Sequence, residues 1–339
     1  MMFKDSKLLF SSLFLSCVLI TRPASAMVDM HSHYIGDEYV KYLSDHNALL
    51  KEGFPLPAWS KNELFDFMKL SAIDTSVLTL APIHPYFDNH SGQFIRTLNQ
   101  NMAAFKNSHK GIMFCATLPL TDVKSAIEEA EYALVTLKAD GISLGSNIDG
   151  QYLGDPDLDP LMEVLNEHHS VVIVHPHKPF GLSDRLFKTT PLAMYEYPAD
   201  TTRAVVNMIM HNLMVRYPNI RFVIPHAGAF LSLTIPRMKA IYPVVHDKNL
   251  VGDLNIKANV SKLYFDLAGV QSVSIIKNML SFTDVNHIVY GSDYPYFKKE
   301  FLLQNIKKLK EEIKADPDLS PYFDRIFEKN ALAMFKVDN

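Results

Sequence analysis

Four histidines and one aspartate close short apolar runs of this sequence, and imidazole and carboxylate groups are common ligands of divalent metals. The first two histidines are one residue apart, in Val28-Asp29-Met30-His31-Ser32-His33. Successive side chains of a strand alternate between its faces, so His31 and His33 are expected to point the same way. The other three each follow a separate apolar run: His175, His226 and Asp293.

Each of these residues, taken alone, is as well explained by a helix cap or a hydrogen-bonded core position. Their shared place at the ends of inferred strands is harder to explain by packing, because burying several unpaired polar groups together is costly. A bound metal removes that cost. The pattern predicts one divalent metal, Zn²⁺ first and Mn²⁺ as the alternative, with His226 beside it as acid/base or oxyanion stabiliser. The predicted ligands are His31, His33, His175 and Asp293.

The elements that must position these residues are eight β-branched runs separated by helix-like stretches. The runs lie near 28–33, 76–81, 112–117, 141–145, 171–175, 221–226, 262–267 and 287–292. Several are almost continuously apolar, which is typical of strands buried on both faces. Eightfold alternation favours a closed (β/α)8 barrel, whose active sites lie at the carboxyl ends of the strands. A doubly wound open sheet is the alternative, but the sequence has no glycine-rich phosphate loop to support it.

Helix signals occur between these runs. Residues 122–138 begin with a capping aspartate, and residues 300–313 carry helical charge spacing. Asp200-Thr201-Thr202 is interpreted first as the N-cap of a helix over 203–215, and a role in the site is the alternative. His84 and His177 rank lower: His84 fits a pocket position or a surface turn equally well, and His177 is interpreted as a loop histidine. The long connections 34–60 and 176–199 are expected to shape a substrate pocket.

Residues 1–26 have the form of a secretory signal peptide, with Lys4 and Lys7 before an apolar stretch and Ala24-Ser25-Ala26 at the cleavage site. The apolar stretch is too short for a typical membrane span of about 20 residues. A secreted or periplasmic protein is therefore predicted, with no stable membrane insertion after cleavage. An uncleaved anchor, or a cytoplasmic protein starting at Met27, is the alternative.

The overall composition is that of an ordinary globular protein. The chain has 339 residues, 48% of them hydrophobic, and a formal net charge of -4. This composition gives no sign of a nucleic-acid partner, which requires clustered Lys and Arg. Cleavage of the signal would leave Cys115 as the single cysteine, so no intramolecular disulfide is expected.

The sequence resembles the amidohydrolase-related proteins of the aminocarboxymuconate-semialdehyde decarboxylase type, and within them the salicylate and 6-methylsalicylate decarboxylase branch. The resemblance covers nearly the whole chain after residue 26. The motifs that carry it are VDMHSHYIGDEYV, ATLPLTD, GISLGSNIDGQYLGDPDLDPL, VHPHKP, YPADTTRAVVNMI, RYPNIRFVIPHAGAF and YGSDYP.

This resemblance implies a single metal-dependent amidohydrolase barrel over residues 27–339. It implies that His31, His33, His175 and Asp293 bind the metal, that Asp293 also handles a proton, and that His226 lies beside the bound water or substrate. Arg237 falls where these proteins often hold a substrate carboxylate, sometimes across a subunit interface, so a homodimer is expected; a helix-surface role is the alternative. The chain departs from the usual His-x-Gly-Gly pattern, with His226-Ala227-Gly228-Ala229.

Two enzymatic functions use the same ligand set. The first is non-oxidative decarboxylation of an aromatic or conjugated carboxylic acid, such as a salicylate-like substrate. The second is metal-assisted hydrolysis of a lactone or amide. A decarboxylase needs cationic groups and aromatic walls for a planar acid, whereas a hydrolase needs a water aligned with a carbonyl. A binding protein without activity is the third interpretation, and retention of the whole ligand set argues against it.

Overall fold

The computed structural model of the protein describes residues 26–49, 55–80, 92–120, 122–183, 185, 191–269 and 271–335. Ten strands lie in these ranges: β1 (Val28–Tyr34), β2 (Thr75–Leu80), β3 (Ile112–Thr117), β4 (Gly141–Gly145), β5 (Asn147–Ile148), β6 (Gln151–Tyr152), β7 (Val171–His175), β8 (Arg221–Ile224), β9 (Tyr264–Asp266) and β10 (Ile288–Val289). Strands β5 and β6 form a small antiparallel hairpin, and the other eight form one parallel sheet.

The eight-stranded sheet closes into a barrel. Its order is β1-β2-β3-β4-β7-β8-β9-β10, so neighbours in sequence are neighbours in space. The chain after β10 returns to β1, where the backbone N–H of His33 donates to the Tyr294 carbonyl at 2.8 Å and that of Asp293 donates to the His31 carbonyl at 2.8 Å. The predicted (β/α)8 barrel is confirmed.

Helices surround the barrel between the strands. They are α1 (Asp37–Asp45), α2 (Lys61–Ser71), α3 (Gly92–Ser108), α4 (Val123–Glu131), α5 (Asp159–Glu167), α6 (Glu196–Met210), α7 (Leu213–Arg216), α8 (Leu231–His246), α9 (Ile256–Val260), α10 (Val273–Met279), α11 (Lys299–Ala315) and α12 (Asn330–Met334). None of the helices in the described ranges is both long and apolar enough to cross a membrane.

Two apolar clusters hold the fold together. The larger joins the outer faces of the strands to the helices. The smaller is a compact set in which Val171 and Ile173 of β7 pack with Val77 of β2 and Val223 of β8, together with Met334 of α12. The site residues follow the carboxyl ends of the strands, above this second cluster, as expected for this architecture.

The helix starts confirm one of the two N-caps predicted from the sequence and contradict the other. Asp122 caps α4, accepting hydrogen bonds from the backbone N–H groups of Lys124 and Ser125. The N-cap predicted at Asp200 is wrong, because α6 already begins at Glu196 and Asp200 lies inside it. Pro198 stands in the first turn of α6, where the missing N–H has no intrahelical partner to lose. The signal-peptide prediction and His84 concern residues outside the described ranges, apart from Ala26.

Candidate metal centre

The two histidines of β1 lie side by side. Their ring centroids are 5.0 Å apart, and both side chains are almost fully buried. His33 Nδ1 lies 3.3 Å from the Leu80 carbonyl oxygen and 3.2 Å from Thr79 Oγ1, while its Nε2 lies 3.2 Å from Asp293 Oδ1. The alternation of a strand therefore brings both imidazoles to one place, as the sequence predicts.

The remaining three residues converge on the same point from other strands. His175 closes β7, and its ring centroid lies 5.4 Å from that of His31 and 5.2 Å from that of His33. Its Nδ1 lies 3.0 Å from the Pro176 carbonyl oxygen, so that atom is occupied and Nε2 remains for other chemistry. His226 follows β8, and its Nε2 lies 3.9 Å from Asp293 Oδ2.

The donor atoms suit a divalent metal. His31, His33 and Asp293 each offer one ligand atom, and these atoms lie within 4.8 Å of one another; the same holds for His31, His175 and His226. His31 Nε2 is buried with no hydrogen-bond partner, and its nearest carboxylate oxygen is Asp293 Oδ1 at 3.6 Å. An unpaired buried nitrogen between imidazoles and a carboxylate fits a transition-metal ligand, because a bound metal would satisfy an atom that no hydrogen-bond partner reaches.

The cluster has a buried side and an exposed side. The side chains of His31 and His33 are 1% and 0% exposed, whereas those of His226 and Asp293 are 15% and 14% exposed. A molecule that enters from solvent therefore meets His226 and Asp293 first. His226 and Asp293 are thus the residues of the cluster that an entering substrate can reach, whereas His31 and His33 are covered by protein.

Burial and neighbouring charge shift the pKa values of these groups in opposite directions. Burial lowers the pKa of His33, His175 and His226, which favours neutral imidazoles. Burial opposes charge on Asp293, but the hydrogen bond with His33 and the nearby His31 more than offset it and lower its pKa. Burial also opposes charge on His31, yet the Asp266 carboxylate raises its pKa to about 9.

Two buried carboxylates at the site were missed by sequence reasoning. Asp266 closes β9, and its Oδ2 lies 2.7 Å from His31 Nδ1. Asp29 lies two residues before His31 and accepts hydrogen bonds from the backbone N–H and the hydroxyl of Ser292. Burial raises the pKa of Asp29 to about 7. The sequence does contain one indication of Asp266: it ends β9, the seventh strand of the barrel, just as His175 ends β7.

The loop after β8 has unusual backbone geometry. His226, Ala227 and Ala229 have φ values of 55°, 56° and 53°, a region that non-glycine residues seldom adopt. Gly228 between them has a φ of 74°. Ala229 replaces the second glycine of the expected His-x-Gly-Gly pattern, and Ala227 occupies its variable position. Both keep the positive φ that glycine adopts easily, so His226 lies in a tight, constrained turn.

Aromatic rings stand beside the cluster. The Tyr296 ring packs edge-on against His33 with centroids 5.2 Å apart, and Tyr197 lies 6.2 Å from His175. Gly269 leaves room next to the exposed pair, since a Cβ there would lie 3.7 Å from His226 Cδ2 and 3.9 Å from both Asp293 Oδ2 and Phe297 Cε2. Aromatic side chains therefore lie close to both the buried and the exposed residues of the cluster.

The other candidate residues in the described ranges are not among the groups whose donor atoms converge on this centre. Arg237 is exposed on α8. His177 is a buried loop residue whose backbone N–H donates to Ser146 Oγ at 3.0 Å. Asp200, instead of capping a helix, is fully buried and accepts hydrogen bonds from Ser146, Asn147 and Tyr152. It thereby ties α6 to the segment after β4, and Ser146 Oγ in turn accepts from the backbone N–H of His177 after β7.

Comparison with known proteins places the chain in a family. The family model described as "Amidohydrolase" matches residues 28–337. A decarboxylase of Aspergillus niger is 30% identical over 287 residues, covering 79% of this chain and 77% of the relative. A 6-methylsalicylic acid decarboxylase of Penicillium expansum is 26% identical over 291 residues, covering 82% and 88%.

A solved structure has the same fold. The 5-carboxyvanillate decarboxylase of Novosphingobium aromaticivorans, complexed with manganese and 4-hydroxy-3-methoxy-5-nitrobenzoic acid, matches with a TM-score of 0.78 at 17% identity. The match covers 92% of this chain and 96% of that structure. From its barrel, its convergent ligand set and the family match over nearly its whole described length, the chain belongs to the amidohydrolase family.

Proposed function

We propose that this protein is a metal-dependent carboxy-lyase that removes CO₂ from an aromatic or conjugated carboxylic acid without an oxidation step. The observation that carries the proposal is the unpaired, buried His31 Nε2 facing Asp293, with His33, His175 and His226 around it. The Penicillium and Aspergillus relatives are decarboxylases, and the former acts on 6-methylsalicylic acid. A salicylate-like acid is therefore the substrate class we propose.

The chain's residues divide the work between binding and proton transfer. His31, His33, His175 and Asp293 would hold the metal, which supplies positive charge for the substrate carboxylate and an adjacent oxygen. Tyr296 and Phe297 offer flat surfaces against which the ring can lie. Asp293 remains ionised because its pKa is lowered, so it can accept or pass on a proton at Oδ2.

Proton delivery falls to the exposed pair. As the bond between the ring and the carboxylate breaks, its electron pair stays on the ring carbon and CO₂ leaves. That carbon must then receive one proton, which completes the balance without a redox cofactor. His226 Nε2 lies 3.9 Å from Asp293 Oδ2 on the solvent side, where the two groups can relay a proton from water to the ring carbon.

For the metal itself we propose Zn²⁺ first and Mn²⁺ second. Three imidazoles and one carboxylate are ligands that both ions accept, with imidazole favouring zinc. The 5-carboxyvanillate decarboxylase structure contains manganese, and this supports Mn²⁺ as the second candidate.

Metal content and turnover, measured in one preparation, test the proposal. About one Zn²⁺ or Mn²⁺ per chain by mass spectrometry, with CO₂ released from hydroxybenzoates, is the expected result. The same preparation is offered a panel of lactones and amides. If the protein binds metal and only hydrolyses lactones or amides, the proposed function becomes hydrolysis. If it binds no metal, both functions are refuted.

Arg237 is proposed to bind the substrate carboxylate of a partner subunit. Within the described ranges, Asp266 and Asp293 form ion pairs with histidines alone, and no lysine or arginine pairs with them. Arg237 shares one exposed face of α8 with three apolar side chains at helical spacing. They are Leu233, Ile241 and Val244, which are 78%, 39% and 55% exposed. Such a stripe is suited to a homodimer interface.

Replacing Arg237 by alanine is expected to leave metal content unchanged and to raise KM. A hydrogen bond to a charged group contributes about 1.5–3 kcal/mol, or roughly ten- to a hundredfold in KM. Steady-state kinetics and metal analysis check the split. Lys239→Ala, which removes another exposed cation of α8, is the matched control and should behave as the wild type. An unchanged KM, or loss of metal, in the Arg237 variant would contradict the proposal.

We also propose that residues 1–26 direct export and are removed after Ala26. The basic start, apolar stretch and Ala24-Ser25-Ala26 site support this proposal. Cleavage would place the new terminus close to the strand that carries His31.

A further inference from the structure

The carboxylate of Asp266 connects the deepest histidine to the exposed one. Asp266 is 0% exposed at the end of β9. Its Oδ2 lies 2.7 Å from His31 Nδ1. Its Oδ1 accepts two backbone hydrogen bonds, from His226 N and Ala268 N, each at 3.0 Å.

These contacts determine which nitrogen of His31 is free for a metal. Both oxygens of a carboxylate are acceptors, so the imidazole nitrogen that faces Oδ2 must carry a hydrogen. A metal can then bind only through the other nitrogen, Nε2, where it takes the place of any hydrogen. This is the buried atom that has no hydrogen-bond partner and lies 3.6 Å from Asp293 Oδ1. Asp266 thus sets the tautomer that a metal ligand needs.

The second oxygen acts on the exposed side of the centre. His226 has a φ of 55°, which a β-carbon makes unfavourable, so its conformation must be held by its surroundings. The hydrogen bond from its backbone N–H to Asp266 Oδ1 is one such restraint. Through one side chain, the position of His226 is therefore coupled to the orientation of His31.

We propose that Asp266 is a positioning residue that fixes His31 as the Nδ1–H tautomer for metal binding and holds the His226 backbone in place. The proposal rests on the metal centre of the proposed function. It assigns Asp266 no contact with substrate or metal. It makes the acceptor character of both oxygens essential, rather than the volume of the side chain.

Asparagine at position 266 separates these two properties. It has the shape of aspartate, but only one of its two terminal atoms accepts a hydrogen bond. With the oxygen kept on the two backbone N–H groups, the amide nitrogen faces His31 and forces its hydrogen onto Nε2. We expect Asp266→Asn to weaken Zn²⁺ binding about ten- to a hundredfold, the usual range for loss of a group that supports a ligand.

Asp266→Ser provides the comparison. Serine is smaller and leaves space for a water that can accept from His31, so the correct tautomer remains accessible. Zn²⁺ affinity, measured by competition with a chelator, should therefore fall less in Asp266→Ser than in Asp266→Asn. A purely structural role predicts the opposite order, because asparagine preserves the packing. Asp140→Asn is the matched control, since Asp140 joins Lys106 and the Phe114 backbone N–H just before β4, at the opposite end of the barrel.

The outcomes separate this proposal from the enzymatic one. Wild-type affinity in Asp266→Asn, or weaker binding by the serine variant, would overturn the role of Asp266. If Asp266→Asn does not fold, Asp266→Ser decides alone: a loss of Zn²⁺ affinity of less than about tenfold supports the role, and a larger loss, as a purely structural role predicts, overturns it. Wild-type protein that binds Zn²⁺ without releasing CO₂ would refute decarboxylation and leave the Asp266 result standing. Wild-type protein that binds no Zn²⁺ would refute both.

Discussion

Replacing His31 by asparagine is expected to remove metal binding and CO₂ release together. The asparagine amide can occupy the place of Nδ1 and donate to Asp266, so the buried carboxylate keeps a partner. It has no atom equivalent to Nε2, and His31 belongs to both candidate ligand groups. Zn²⁺ affinity should fall by more than the roughly ten- to hundredfold seen when a supporting residue is lost. Chelator competition, metal analysis and turnover are measured on the same sample.

Asparagine is chosen at position 31 because alanine there could prevent folding. His31→Ala would leave Asp266 buried and unpaired, a loss of about 3–5 kcal/mol for a broken buried ion pair. His287→Ala is the control, because this partly buried histidine lies just before β10, at the opposite end of the barrel. Metal retained in full by His31→Asn would refute the ligand assignment, and with it the proposed chemistry.

The barrel was predictable because each strand carries its own signal. Runs such as Val171–His175 are buried on both faces, and their apolar continuity identifies them without knowledge of their neighbours. The predicted positions of the site residues followed from the same runs, since parallel strands bring their carboxyl ends together. The strand limits differed most at β9 and β10, where only Tyr264–Asp266 and Ile288–Val289 form regular ladders.

The supporting carboxylates were not predicted, for a physical reason. Asp266 ends a strand as His175 does, but a single aspartate there is equally compatible with a turn or a helix cap. Its role depends on His31, which is 235 residues away in sequence and adjacent only after the barrel closes. The same is true of Asp200, which reads locally as a cap. Its partners Ser146 and Asn147 come from the loop after β4.

Replacing His226 by asparagine is expected to leave the metal in place and to lower kcat. General acid–base catalysis contributes about 10²- to 10⁴-fold, so a loss in that range is predicted, with little change in Zn²⁺ affinity. Asparagine suits the test because it tolerates positive φ better than most residues, and His226 has a φ of 55°. Single-turnover CO₂ release and chelator competition provide the two readings. His211→Asn, an exposed histidine at the end of α6, is the control.

This substitution also distinguishes the two ways in which the cluster can use His226. Its ring nitrogen lies within 4.8 Å of donor atoms of His31 and His175, as a ligand would. It is also 15% exposed beside Asp293, as a proton donor to an entering substrate should be. If kcat falls while metal affinity holds, the acid–base role stands and four residues suffice to bind the metal. If metal affinity falls in proportion to kcat, His226 is itself a ligand and Asp293 remains the group that must deliver the proton.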